Sequence, residues 1–131
     1  MGIAMRNCPE LMILVMACAS IGAVAVFVNA WWTTTELDYA LKDSGARLIF
    51  ADGDRVTRLM PLKDDLKLTV VGVRDGEHTA DHNYSALKAS AASDQRPEAA
   101  IDTDDDFAIM YSSGTTGHPK GVVQTHRGAV N

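Results

Sequence analysis

The sequence predicts an α/β fold, a parallel sheet with flanking helices. Two observations lead there. Short, continuously apolar runs bounded by turn residues, such as "ARLIFAD" (Ala46 to Asp52) and "LKLTVVGV" (Leu66 to Val73), read as buried parallel strands, because a strand covered on both faces has no need of a polar side. Between these runs lie segments with apolar residues at helical spacing, and helices alternating with such strands are the pattern of a parallel sheet.

The first element needs a decision. "LMILVMACASIGAVAVFV", Leu11 to Val28, is 18 residues without a charge, long enough to suggest a membrane span. With Arg6 in front and "VNA" (Val28 to Ala30) behind, it also resembles a signal-peptide core. Against both stand Asn7, Pro9 and Glu10, which look like the cap and first turn of a soluble helix. After Ser20-Ile21-Gly22 the residues turn β-branched, with Val24, Val26 and Val28 alternating with Ala23, Ala25 and Phe27. The segment is therefore expected to be a helix of about ten residues, a turn and a buried strand, with no stable membrane span.

The following elements are predicted in turn. Thr33 with Glu36, or Thr35 with Asp38, fits a capping box opening a helix whose inner face is Leu37, Ala40, Leu41 and Ser44, with Gly45 at its end. After the strand at 46–52, "GDRVTRLMPLKDD" predicts a helix with Val56, Leu59 and Met60 inward, stopped near Pro61. The strand at 66–73 completes an α-β-α-β-α-β order. Residues 74–106 are looser, with a short helix expected over 84–92. "FAIMYSS" and "GVVQTH" then read as two strands, and no internal repeat is visible.

Composition narrows the function classes. At 131 residues, 47% hydrophobic and 22% charged, the chain fits one small globular domain. A net charge of −5 without any basic run argues against nucleic acid as a partner. Cys8 and Cys18, both in or beside apolar sequence, read as reduced small residues of a cytosolic protein, and no metal-ligand cysteine pattern is present.

The stretch "YSSGTTGHPKG", Tyr111 to Gly121, joins the last two strands. Gly114, Gly117 and Gly121 let backbone N–H groups come close to a bound group. Ser112, Ser113, Thr115 and Thr116 add hydroxyl donors, and Lys120 adds a positive charge. Many donors around a concave backbone plus one cation suit a polyphosphate. The run is not a Walker loop, since Pro119 precedes the lysine and strand residues follow it. The alternative is a plain glycine-serine hairpin, which Lys120 and Pro119 make the weaker reading.

"YSSGTTGHPKGVVQTHR" resembles the phosphate-loop signature of the adenylate-forming (AMP-binding) superfamily, which includes acyl- and aryl-CoA synthetases. The resemblance extends over most of residues 3–54 and 105–128, and "NAWW" at 29–32 is similar to the fatty-acyl, long-chain fatty acid–CoA ligase branch. It implies a cytoplasmic enzyme of fatty acid metabolism that turns a carboxylic acid, with ATP and Mg2+, into an acyl-AMP, and then with coenzyme A into an acyl-CoA. Ser112, Ser113, Gly114, Thr115, Thr116, Gly117 and Lys120 would be the cofactor-binding residues gripping the ATP phosphates. No catalytic or metal-ligating residue is assigned within the chain. Residues 1–131 are expected to be a partial N-terminal adenylation domain, with the magnesium-holding region, the adenine and ribose segments and the C-terminal domain lying elsewhere, so that the piece alone would be inactive. The alternative is a non-catalytic remnant or weak nucleotide-binding module. Open sheet edges and an uncovered apolar face would make it prone to aggregate.

Three further features are set aside. Asp102, Asp104 and Asp106 have calcium-loop spacing, but Phe107 stands where glycine is needed and Ser113 where the bidentate glutamate belongs. His78 and His82 lack a third ligand. His126 is expected to help begin a helix and not to take part in catalysis.

Overall fold

Residues 1–74, 76, 79–112 and 117–130 are described by the structure, a computed structural model. The chain opens on a strand, β1 (Gly2–Ala4), and continues through α1 (Pro9–Ile21), β2 (Ala25–Phe27), α2 (Thr34–Ser44) and β3 (Leu48–Asp52). Next come α3 (Asp54–Leu59), a 3-10 turn (Met60–Leu62), α4 (Lys63–Leu66), β4 (Thr69–Val73), β5 (His82–Asn83) and α5 (Tyr84–Ala89). The chain then forms β6 (Asp106–Ser112), β7 (Lys120–Thr125) and α6 (His126–Val130). All seven strands form one sheet in the order β5-β4-β3-β1-β2-β6-β7. Every pairing is parallel except β6 with β7. The expected parallel α/β sheet is present. The hairpin is antiparallel because the few residues between Ser112 and Lys120 are too short for a crossover helix.

The residues that read ambiguously as a membrane span divide into two elements. α1 ends at Gly22, in the left-handed region at φ 69°, and β2 then runs through the middle of the sheet. Among the described residues no helix is long and apolar enough to cross a membrane. Cys8, and not Asn7, takes the N-cap of α1, with Pro9 at the first helical position. Pro61 does not stop the chain's helical course. Its fixed φ suits the 3-10 turn between α3 and α4.

The sheet separates two apolar layers. On one face Val26, Val28, Ile49, Ala51 and Val70 meet Leu37, Ala40 and Leu41 of α2 and Val56 and Leu59 of α3. On the other, Ile3, Ala25 and Val73 meet Leu14 and Cys18 of α1. The predicted inner face of α2 is confirmed in its apolar residues, and the Thr33–Glu36 capping box is formed in both directions. α1 is apolar all round: Met12 and Met16, both 60% exposed, and Ile13 face away from the sheet. β7 is an edge strand that exposes Val122 and Val123.

One buried ion pair ties the strand ends to the connection before α2. Asp52, at the end of β3, lies 3.4 Å from Arg55 Nε, and both side chains are more than nine-tenths buried. At that distance Arg55 keeps its hydrogen bond for the Ala30 carbonyl, 2.9 Å away, while Asp52 also accepts from the Arg6 N–H at 3.2 Å. Arg58 Nη1 donates to the carbonyls of Ala30 and Trp32, and Arg55 stacks over the Trp31 ring. The connection over 29–33 is thereby fastened to α3.

Removing one partner of a buried pair leaves the other uncompensated. Asp52→Ala is expected to lower unfolding free energy by about 3 kcal/mol in urea titration. Asp38→Ala, which breaks the exposed pair with Lys42, is expected to change it by about 0.5 kcal/mol or less. Replacing Met12 and Met16 by glutamate is expected to reduce self-association in sedimentation experiments without altering the circular dichroism spectrum.

Candidate functional site

Ligands of open parallel sheets bind outside the carboxyl ends of the strands, where neighbouring connections leave in opposite directions. Here β1 is central: the chain passes through α1 to β2 on one side, then returns through α2 to β3 on the other. The carboxyl ends of β1, β2, β3 and β6 share one edge of the sheet. β6 ends at that edge, so Ser112 and Lys120, the last pair of the hairpin, lie where this architecture places ligand-binding residues.

Of the predicted site residues, Ser112, Gly117 and Lys120 are described. Ser113, Gly114, Thr115 and Thr116 lie outside the described residues, as does His78 of the dismissed histidine pair. Ser112 and Lys120 face each other in register as the last pair of the hairpin, one on each side of its mouth. Lys120 is exposed and, among the described residues, makes no ion pair. Gly117 has φ 108°, a conformation open to glycine and strained for other residues. Gly121 has a different role from the one its place in the motif suggests. It lies within β7, opposite Tyr111, and a Cβ there would come within 3.0 Å of Ile109 and 3.2 Å of the Tyr111 ring. Its missing side chain makes room for the aromatic ring.

Sequence reasoning missed the partners of this hairpin. The Tyr111 hydroxyl lies 2.7 Å from Asp43 Oδ2 and 3.2 Å from the Ala40 carbonyl, and having a single proton it donates to the nearer carboxylate. The ring meets Trp32 edge-on with centroids 5.8 Å apart. On the other side of the hairpin mouth, His118 stacks on Tyr39 at 4.5 Å, the planes inclined by only 14°. Tyr39 and Asp43 are four residues apart on α2, one turn of one face. That spacing was the available signal, but nothing in it shows what the face would touch.

A cavity of about 960 Å³ opens between α2 and the hairpin, lined by Trp32, Glu36, Tyr39, Asp43, Tyr111 and His118 among others. Among the described residues that line it are three carboxylates, Glu36, Asp38 and Asp43, against one cation, Lys42, which Asp38 already neutralises. A polyphosphate would be repelled there, and Lys120 is not among its lining residues. No group of three His, Cys, Asp or Glu side chains able to hold a metal is gathered among the described residues. The acidic cluster before β6 is engaged locally: Arg127 forks onto Asp104 at 2.8 and 3.1 Å, and Asp102 closes a turn with Asp105. His126 opens α6 as predicted, its N–H donating to the Asp105 carbonyl and its ring lying beside Phe107.

Burial pushes the Tyr111 phenol well above the ordinary tyrosine range, and the Asp43 carboxylate it donates to pushes it further. The folded value lies above the unfolded one. The resulting stabilisation is therefore complete below about pH 10 and is lost as pH rises towards the folded value. In an alkaline titration followed by tyrosinate absorbance, one of the three tyrosines is expected to ionise late, and Tyr111→Phe to remove that late step.

Comparison with known proteins matches the family described as AMP-binding enzyme to residues 1–131. A curated relative, 4-coumarate--CoA ligase 2 of Oryza sativa subsp. japonica, is 36% identical over 141 residues, covering 98% of this chain and 25% of the relative. The inhibitor-bound N-terminal domain of FACL13 from Mycobacterium tuberculosis superimposes with a TM-score of 0.77 at 32% identity, covering 95% of this chain and 30% of that one. The Mycobacterium tuberculosis fatty acyl CoA synthetase gives a TM-score of 0.73 at 28% identity over 95% of this chain and 24% of that one. The chain spans about a quarter of the length of the curated relatives it matches.

Proposed function

Because the chain belongs to the AMP-binding enzyme family, we propose that it is part of a ligase that activates a carboxylic acid with ATP and passes the acyl group to coenzyme A. Residues 1–131 would form part of its N-terminal adenylating domain and supply its phosphate loop, in a cytoplasmic protein with Cys8 and Cys18 as free thiols. The observation that carries this reading is the hairpin mouth at the carboxyl edge of the sheet. Lys120 stands there in register with Ser112, without an ion-pair partner among the described residues.

In this reading Ser112, Ser113, Gly114, Thr115, Thr116, Gly117 and Lys120 hold the β- and γ-phosphates. The acid is already a carboxylate at neutral pH, so its attack on the α-phosphorus needs no general base. As the new P–O bond forms, the bond from the α-phosphorus to the bridging oxygen breaks, and pyrophosphate leaves with its charge met by Lys120 and the loop's donors. A thiol then displaces AMP from the acyl-AMP. Mg2+ would neutralise further phosphate charge. No group of side chains among the described residues fits it.

The finer substrate class separates two readings. A fatty acid is supported by the likeness to the fatty acyl CoA synthetase and by "NAWW". A hydroxycinnamic acid is supported by the relatives named as 4-coumarate--CoA ligases. ATP–pyrophosphate exchange by the protein carrying this segment, run with both classes of acid, decides between them. Exchange with neither, together with unchanged ATP affinity in Lys120→Ala, would overturn the ligase reading. The expected result is exchange with one class and about a tenfold weaker ATP affinity in Lys120→Ala, the loss of one charge-assisted contact.

A further inference from the structure

Helix α2 touches the candidate phosphate loop at both of its shoulders. Before the loop, Tyr111 is tied by its hydroxyl to Asp43 at 2.7 Å. After it, His118 lies flat on Tyr39 with ring centroids 4.5 Å apart. The two contacts come from adjacent turns of one helix face, so a single rigid element sets both ends of the turn. The helix is itself held: Leu37, Ala40 and Leu41 are buried against the sheet, the capping box closes its start, and Thr34 Oγ1 donates to the Arg58 carbonyl of α3. The Tyr111 side is fixed again by Gly121, whose lack of a side chain lets the ring lie against β7, and by the edge of Trp32.

We propose that α2 is a clamp that holds the two shoulders of the candidate phosphate loop, with Tyr39 and Asp43 as positioning residues that act through His118 and Tyr111. The inference rests on the loop's assignment to phosphate, but the clamp itself is a statement about the loop without nucleotide. A loop that must offer several donors to a polyphosphate loses conformational freedom on binding, and one already held at both ends loses less. The stack and the phenol–carboxylate bond therefore favour binding without touching the ligand. They also couple the loop to α2, so a displacement of that helix would move the loop.

Hydrogen exchange of the nucleotide-free protein tests the clamp. In Tyr39→Ala, exchange at Gly117, Lys120 and Gly121 is expected to rise about tenfold after correction for intrinsic rates, as for loss of one aromatic pair. Amides of β3 and β4 should stay unchanged, and Tyr39→Phe should remain within about twofold of the parent. His118→Ala, at an exposed position remote from the core, should give the same rise. The double variant should exceed neither single one, because both remove a single contact. Unchanged loop exchange in both single variants, or additive effects in the double one, would overturn the clamp. Inorganic tripolyphosphate binding is then measured by calorimetry on the same proteins. A parent that binds tripolyphosphate, with Tyr39→Ala weaker and Tyr39→Phe restored, supports the positioning role. A parent that does not bind, alongside the exchange pattern above, removes the phosphate assignment and leaves the clamp standing.

Discussion

The structure depends on β1, a strand of three residues. It lies at the centre of the sheet and pairs with β2 on one side and β3 on the other, and Ile3 and Ala4 are buried on opposite faces. In the hydrogen-bonded ladder the two halves of the sheet are joined through it. The Met1 amine and carbonyl extend the same ladder, donating to the Val24 carbonyl and accepting from the Val26 N–H at 2.8 Å each. Central parallel strands must be apolar on both sides and fully hydrogen-bonded, and a slip of one residue here would exchange Ile3 and Ala4 between the two apolar layers, where their volumes do not match.

From that strand the position of the site follows. Because β1 is central, the connections to its two neighbours cross opposite faces, α1 on the face that Tyr84 of α5 also covers and α2 on the face it shares with α3. The carboxyl edge thus collects Arg6, the 29–33 connection, Asp52 and the hairpin mouth. The Asp52–Arg55 pair costs desolvation and would stabilise little by itself. Its consequence is that Arg55 and Arg58 hold the connection leading into α2. α2 in turn meets both shoulders of the loop. A chain of contacts therefore runs from the buried strands to the hairpin mouth.

Much of this was legible in the sequence. The alternation of apolar runs and helical spacing identified the parallel α/β architecture. The capping box at Thr33 and the inner face of α2 could be assigned residue by residue, because caps and amphipathic faces are local properties. β1 was missed, since three residues are too few to show a period and helix signals follow directly at Pro9. The pairing of β6 with β7 was expected only as two neighbouring strands. Its antiparallel sense follows from the short turn. The packing of Gly121 under the Tyr111 ring was not legible, because a glycine inside a motif and a glycine under a ring look alike in one dimension.

By itself the sequence determined which residues could be strands, which could be helices, and that one turn concentrated glycines, hydroxyls and a lysine. Each of these follows from the chemistry of residues within a few positions of one another. Only the tertiary structure decided that Tyr39 would meet His118, that Asp43 would meet Tyr111 across 68 residues of chain, and that Arg55 would be buried beside Asp52. Those contacts depend on where α2 and α3 dock against the sheet. Docking is set by the summed burial of two apolar layers, which no local stretch of sequence records.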